Sequence, residues 1–276
     1  MTAAFQGEVG AYSEIACKKY FGCDVETVPC FSFEDAFTNL ENGKSEYALL
    51  PIENSLYGSV YETYDLLIKY NYPIIGELYL QINHNLIAKK NLKLSDIKKI
   101  YSHPQALGQC SHFLKSLKNI QILPAYDTAG AAKIASEEED KKTAAIASSE
   151  AANLYKLKII QRSIQNNAEN YTRFIVVSKK EKRNKVSSPK SSICFALKSI
   201  PGALFKALSV FALREIDLVK IESRPIPNKP FQYLFYVDLN GSLKEDKLSH
   251  ALKNLEEITD SIIRLGTYEA GRTYKS

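Results

Sequence analysis

Asn170-Tyr-Thr-Arg-Phe174, continued by Ile-Val-Val177, is where a polar run that begins at Gln165 gives way to an apolar one. A loop feeding a buried strand presents polar side chains at the strand's mouth, the place where α/β proteins hold their ligands. Thr172 and Arg173 stand side by side there, a hydroxyl donor next to a permanent cation. Taken alone, the pair fits a turn threonine and a surface arginine equally well. The flanking segments have to decide.

Upstream, short apolar runs alternate with amphipathic ones. Residues 23–28, 45–50, 74–80 and 83–88 read as strands. Ser32 with Asp35 three positions on predicts a capping box opening a helix to Asn42, and 60–70 predicts an amphipathic helix. Strands at 100–101, 120–125, 143–147, 159–162 and 172–178 follow, with helices at 104–117, 128–138 and 149–157 between them. The alternation predicts a mostly parallel α/β fold, long enough for two lobes with a cleft. Several of the strands end in small hydroxyl or amide residues, at Asn54-Ser55, Ser102, Thr128 and Ser148-Ser149. Helix starts expose unpaired N–H groups and a positive dipole end, so such termini converging on one cleft would suit a carboxylated ligand. Ordinary capping explains any one of them.

Between Ser178 and Lys190 six basic residues face only Glu181, a surplus equal to the whole net charge of +5. That excess is one solvated linker, at 179–190, and not a nucleic-acid surface. Beyond it the pattern changes to strand 192–198, helix 201–214, strands 218–223 and 231–239, helix 245–257 and strand 262–267. The order βαββαβ predicts an antiparallel sheet with two helices on one face.

At 276 residues and 45% hydrophobic content the chain is globular, with no apolar run of membrane-spanning length. Its first residues carry no basic region or cleavable apolar segment, which points to the cytoplasm. Five cysteines at spacings that include no C-x-x-C are expected to be buried reduced thiols. Gln6-Gly-Glu-Val-Gly10 is too sparse for a dinucleotide fingerprint, and no phosphate-binding loop occurs. His84, His103, His112 and His250 are isolated from cysteines and acids at ligand spacing, so structural roles are expected and no metal.

Several segments together resemble the monofunctional prephenate dehydratases and the closely related arogenate dehydratases, over essentially the full length. They are Ala4-Phe-Gln-Gly-Glu-Val-Gly-Ala-Tyr-Ser-Glu14, Pro51-Ile-Glu-Asn-Ser55, Ser102-His-Pro-Gln105 with Gln109, Asp127-Thr-Ala-Gly-Ala-Ala132, Ala145-Ile-Ala-Ser148 and Thr172-Arg-Phe174. Gly202-Ala-Leu-Phe205 and Ile221-Glu-Ser-Arg-Pro225 look like the ACT regulatory domain of those enzymes. The resemblance implies a catalytic domain at 1–178, similar to periplasmic binding proteins, with lobes at about 1–76 plus 160–178 and at 77–159. An ACT domain at 191–276 would bind phenylalanine. It implies no metal or cofactor and a homodimer or homotetramer, and the absence of a preceding chorismate mutase segment suggests the monofunctional type.

Residue by residue, the resemblance assigns catalysis to Thr172, Asn54, Ser102 and Gln109. Thr172 is the donor to the departing hydroxyl. Substrate binding falls to Glu53, Ser55, Gln105, Phe174, Arg173 and the helix start Thr128, Ala129, Gly130 and Ala131. Arg173 either pairs with a substrate carboxylate or braces the loop through Glu53. The phenylalanine site would comprise Gly202, Ala203, Leu204, Asp217, Glu222, Ser223 and Arg224. Many relatives have Asn at the position of Asp217 and Thr at that of Val219, and an extra carboxylate beside an amino-acid site alters affinity or the sign of the response. A two-lobed amino-acid sensor without turnover is the alternative of another class. The sequence does not choose between prephenate and arogenate.

Overall fold

The structure, a computed structural model, describes residues 1–139, 142–181, 186–198, 200–226 and 229–276. In chain order its elements are β1 (Thr2–Gln6), α1 (Tyr12–Phe21), β2 (Glu26–Cys30), α2 (Phe33–Glu41), β3 (Tyr47–Asn54), β4 (Gly58–Ser59), α3 (Tyr61–Tyr70), β5 (Ile74–Gln81) and β6 (Asn85–Ala88). Then come β7 (Lys99–Ser102), α4 (Pro104–Gln109), α5 (Ser111–Ser116), β8 (Gln121–Pro124), α6 (Thr128–Glu137), β9 (Thr143–Ala147), α7 (Ser149–Leu154), β10 (Lys158–Gln161) and β11 (Tyr171–Val177). The last are β12 (Pro189–Leu197), α8 (Ala203–Ala212), β13 (Leu218–Pro225), β14 (Tyr233–Asn240), α9 (Asp246–Ile258), β15 (Thr259–Glu269) and β16 (Arg272–Lys275). They fall into two compact units, one of residues 1–58, 78–174 and 273–276, the other of 59–77 and 175–272.

One sheet runs β16-β5-β11-β3-β1-β2, with β4 on β3. β1 lies parallel to both β2 and β3, and its Ala3, Ala4 and Phe5 are fully buried. Neither β1 nor α1 is foreseen in the sequence. Thr2 is the one β-branched residue in a strand of five, too little to mark it, and the strand's burial on both faces comes only from the strands beside it. α2 does start at the expected capping box: Asp35 N donates to Ser32 Oγ at 3.1 Å and Ser32 N to Asp35 Oδ2 at 3.0 Å.

The second sheet runs β10-β6-β9-β7-β8. β7 is parallel to β8 and β9, while β6 is antiparallel to β9 and β10. Leu86, Ile100, Cys110, Leu114, Ile146 and Ile164 form the apolar core on this sheet. α6 is alanine-rich, with Ala129, Ala131, Ala132 and Ala135 all buried. The expected helix at 104–117 is broken at Cys110, where φ −107° and ψ 18° leave the helical region.

In the second unit the expected order βαββαβ holds from β12 to β15, and its sheet runs β13-β14-β12-β15. α8 and α9 cover one face, Ala207, Phe211, Leu248, Leu252 and Leu255 packing on Ile193, Phe195, Val237 and Leu239. α3 packs with the same unit: the Tyr64 and Tyr236 rings meet edge-on at 4.8 Å, and Tyr236 Oη donates to Tyr64 O at 2.8 Å. Residues 59–77, expected in the first catalytic lobe, therefore cluster with the C-terminal sheet.

The linker expected at 179–190 is shorter at its end. Pro189 and Lys190 already belong to β12, and Lys190 is only 5% exposed. Its Nζ lies 3.0 Å from both carboxylate oxygens of Glu77, which also accepts from Gly271 N at 3.0 Å. A buried ammonium is tolerable only with such a partner. Lys182, Arg183, Asn184 and Lys185 lie outside the described residues. Four cysteines are buried as expected, whereas Cys23 is exposed. No helix among the described residues is long and apolar enough to cross a membrane.

Candidate active site

β3 ends at Asn54 because the side chain turns the chain. Asn54 Oδ1 accepts from Leu56 N and Tyr57 N, each at 3.1 Å, satisfying two amides that leave the sheet. Its Nδ2 then faces the start of β11, donating to Asn170 Oδ1 at 2.9 Å, Tyr171 O at 3.2 Å and Thr172 Oγ1 at 3.0 Å. Ser55 fastens the same junction: Ser55 N donates to Tyr171 O at 2.8 Å, Tyr171 N to Ser55 Oγ at 2.9 Å, and Ser55 Oγ to Glu169 O at 3.1 Å.

The amide contacts continue inward. Asn170, fully buried, donates from Nδ2 to Gln109 Oε1 at 3.0 Å, and Gln109 Oε1 lies 2.6 Å from His84 Nε2. His84 Nδ1 is 3.1 Å from Tyr12 Oη, which donates to Asn83 O at 2.6 Å. Burial disfavours the imidazolium and moves the His84 pKa down to about 4 despite the hydrogen bond with Gln109, so the ring is neutral at pH 7. The polar run from Gln165 serves the same wiring. His84 N donates to Gln165 Oε1 at 3.0 Å, and Asn166 N donates to Gln109 O at 2.7 Å.

Two donors are left over. Thr172 Oγ1 already accepts from Asn54 and, among the described residues, its own proton has no acceptor. The Gln109 carbonyl is taken twice, while its Nε2 donates to none of them. A half-buried hydroxyl and a nearly buried amide thus offer uncommitted donors beside a neutral network, which suits developing negative charge on oxygen.

Other expected site residues are engaged differently. Ser102 is fully buried and donates to Ile146 O at 2.7 Å, joining β7 to β9, so its proton is not available as a catalytic donor. Ser55 is occupied as above and holds backbone, not a ligand carboxylate. Phe174 is 2% exposed, its side chain in the sheet core. Arg173 is 4% exposed, which rules out the surface-arginine reading. Glu53 and Gln105 are half-buried, the latter giving its N–H to His103 Nδ1 at 3.3 Å.

The anion-binding helix starts are capped from within. At α6, Asp127 accepts from Gly130 N and, through Oδ2, from Glu8 N at 2.6 Å. Thr128, Ala129, Gly130 and Ala131 are buried behind it, and a Cβ at Gly130 would collide with the Tyr126 ring. Burial raises the Asp127 pKa although the amides favour its anion. The Gly130 amide of this helix start is thus already engaged by the helix's own cap. Ser148 Oγ, the cap of α7, accepts from Ala151 N at 3.0 Å and donates to Gly10 O at 3.1 Å. The 7–10 loop, read in sequence only as a sparse glycine pair, is thus tied to two helix caps. Gly7, at φ +121°, is held so close that a Cβ would lie 2.9 Å from Asp127 Oδ2.

Sequence reasoning missed Asn170, His84 and Tyr12. The sequence offers His84 no partner at ligand spacing, because its partners lie 25 and 72 residues away. An amide-flanked histidine at a strand start, Asn83-His-Asn85, was the available signal.

In the second unit, the expected phenylalanine-site residues divide between the two faces of a sheet. Ser223 registers with Phe235, which packs toward the core under α8 and α9. Glu222 registers with Tyr236, whose hydroxyl reaches Tyr64 on the other face. Glu222 accepts from Ser59 Oγ and lies 3.6 Å from Lys220 Nζ. Arg224 grips Asp65 through Nε at 3.1 Å and a terminal nitrogen at 2.7 Å, 4.6 Å above the Tyr61 ring. Glu222 and Arg224 therefore do not share a face with Gly202, Ala203 and Leu204 at the start of α8. Asp217 accepts from Asn240 Nδ2 at 2.7 Å.

Residues 3–182 match the family model for prephenate dehydratase. Arogenate dehydratase/prephenate dehydratase 2 of Arabidopsis thaliana is 42% identical over 98% of this chain and 73% of its own. The bifunctional chorismate mutase/prephenate dehydratase of Aquifex aeolicus is 37% identical over 96% and 72%. The crystal structure of the Arthrobacter aurescens prephenate dehydratase in complex with L-Phe superposes with a TM-score of 0.89 at 30% identity, covering 98% of this chain and 90% of that one. With its uncommitted hydroxyl at the mouth of β11 and matches of this length, the chain belongs to the prephenate dehydratase family.

Proposed function

We propose that this chain converts prephenate to phenylpyruvate. The observation that carries the reading is the Thr172 hydroxyl, turned into a donor by Asn54 and left with its proton uncommitted. In the reaction the ring carboxylate leaves as carbon dioxide and its bonding pair enters the ring. The ring C–O bond breaks as the ring becomes aromatic, and the oxygen departs as hydroxide, which takes a proton to become water. The substrate is labile, so the protein needs no strong base. What lowers the barrier is a preorganised donor where negative charge grows on the departing oxygen. Thr172 fills that role, Gln109 Nε2 is the second donor to the substrate, and Asn54 holds Thr172 in place. Arg173, deep in β11, braces the strand's mouth, and keeping it off the leaving carboxylate favours decarboxylation. No metal or organic cofactor takes part in this scheme.

Arogenate is the second reading, supported by the names of relatives such as the Arabidopsis protein. It differs in an amine where prephenate has a ketone. The βαββαβ unit is assigned as an ACT domain that responds to phenylalanine, consistent with the neighbour crystallised with L-Phe. Its binding surface is assigned to the α8 side, at Gly202, Ala203 and Leu204, with Glu222 and Arg224 holding residues 59–65. The full reading is a cytoplasmic homodimer or homotetramer with its catalytic residues within 1–178. Purified chain offered each substrate, with and without phenylalanine, tests it: phenylpyruvate release from prephenate is expected, phenylalanine release alone selects arogenate, and turnover of neither refutes both.

A further inference from the structure

The amide orientations around Thr172 are not independent. Asn54 Oδ1 is pinned by two backbone N–H groups, which can only donate, so its Nδ2 must face Asn170 and Thr172. Asn170 must then present Oδ1 to Asn54 and Nδ2 to Gln109, and Gln109 must present Oε1 to both Asn170 and His84. An oxygen without hydrogen 2.6 Å from His84 Nε2 requires that Nε2 carry the proton. Two fixed amides at one end and one ring tautomer at the other leave the run a single consistent direction.

We propose that Asn170 and His84 are positioning residues for the Gln109 donor beside Thr172, the Asn170 amide and the Nε2–H of His84 together holding Gln109 Oε1 so that its Nε2 stays uncommitted, in a directional amide relay that begins at Asn54. The proposal rests on the reaction assigned above. It assigns a task to a buried histidine that is neither a base nor a ligand. If the ring is neutral, Tyr12 Oη shares its proton between Asn83 O and Nδ1; if it is cationic, Nδ1–H donates to Tyr12. Gln109 meets the same Nε2–H either way. The titratable groups around the ring are Tyr12, whose phenol burial pushes up, and His103, whose charge burial disfavours. Turnover therefore does not titrate with His84, unlike turnover by a histidine base.

The test pairs kinetics with nitrogen NMR of the full chain. In wild type at pH 7 the His84 Nε2 is expected to be the protonated nitrogen. Asn170→Asp presents an acceptor to Gln109, which turns its amide, offers hydrogen to His84 and moves the ring proton to Nδ1. That variant and His84→Leu are expected to lower kcat about tenfold or more, the loss of one oriented hydrogen bond, with KM changed less than about threefold. His84→Gln restores a donor and keeps kcat within about threefold of wild type. A protonated Nδ1 in wild type overturns the relay, and does so even if every variant fails to fold. Wild-type kcat in both His84→Leu and Asn170→Asp also overturns it, as does a kcat profile that follows His84 titration. Wild type inactive on both prephenate and arogenate refutes the reaction instead, and the NMR reading separates that failure from a wrong relay.

Discussion

Replacing Asn54 with Asp changes one NH₂ to one oxygen and reverses the polarity at Thr172. The carboxylate still accepts from Leu56 N and Tyr57 N, so the turn survives. Its other oxygen now faces three acceptors that had shared two amide hydrogens: Asn170 Oδ1 at 2.9 Å, Thr172 Oγ1 at 3.0 Å and Tyr171 O at 3.2 Å. Asn170 can flip and Thr172 can rotate its proton inward, but the Tyr171 carbonyl can do neither. The hydroxyl that donated outward is drawn into the protein. Loss of one transition-state donor lowers kcat by about 10²- to 10³-fold, roughly 3–4 kcal/mol. The opposed carbonyl costs about 1–3 kcal/mol of stability. Asn54→Ala leaves the hydroxyl free to rotate and should cost less, about tenfold. The assay is kcat and KM on prephenate at pH 7–8 with a thermal melt as folding control. An Asp variant within tenfold of wild type, or an Ala variant worse than Asp, would refute the donor assignment.

Three further outcomes are expected. His84 has a folded pKa near 4 against about 6.5 unfolded, so the unfolded chain takes up the proton first and stability is lost as pH falls from about 6.5 to 4. The loss reaches about 3 kcal/mol, and urea midpoints of wild type and His84→Gln should diverge over that window; parallel curves would count against a neutral buried ring. Lys190→Ala strands the Glu77 carboxylate and should destabilise by about 3–5 kcal/mol, whereas joint replacement by Met and Leu should restore most of it, measured by denaturant melts; no difference between single and double variants would contradict the buried pair. A fragment ending near Lys180 should fail to melt cooperatively, because it bares the α3 face that packs against β14; a cooperative, active fragment would show that 59–77 does not depend on the C-terminal sheet.

The order of elements was legible wherever burial follows a simple period: the βαββαβ order of the C-terminal unit, the Ser32 box and the strand after Asn170 needed only local pattern and cap chemistry. The boundary that Thr172 occupies was legible too, but a turn threonine fits it equally well, and the donor role came from the resemblance and not from the local pattern. β1 was not legible, because Thr-Ala-Ala-Phe-Gln carries no period and becomes a strand only by lying between two others. Tertiary structure alone decided which hydroxyls keep a proton to offer. Ser102 and Ser55 look like Thr172 in sequence, yet their protons go to Ile146 and Glu169 carbonyls. It also decided that Asp127 occupies a helix start expected for substrate, and that Glu222 and Arg224 turn to Ser59 and Asp65. A side chain's type is written in the sequence, but a hydrogen bond is a matter of distance and direction between groups up to 194 residues apart, and only the folded chain sets those.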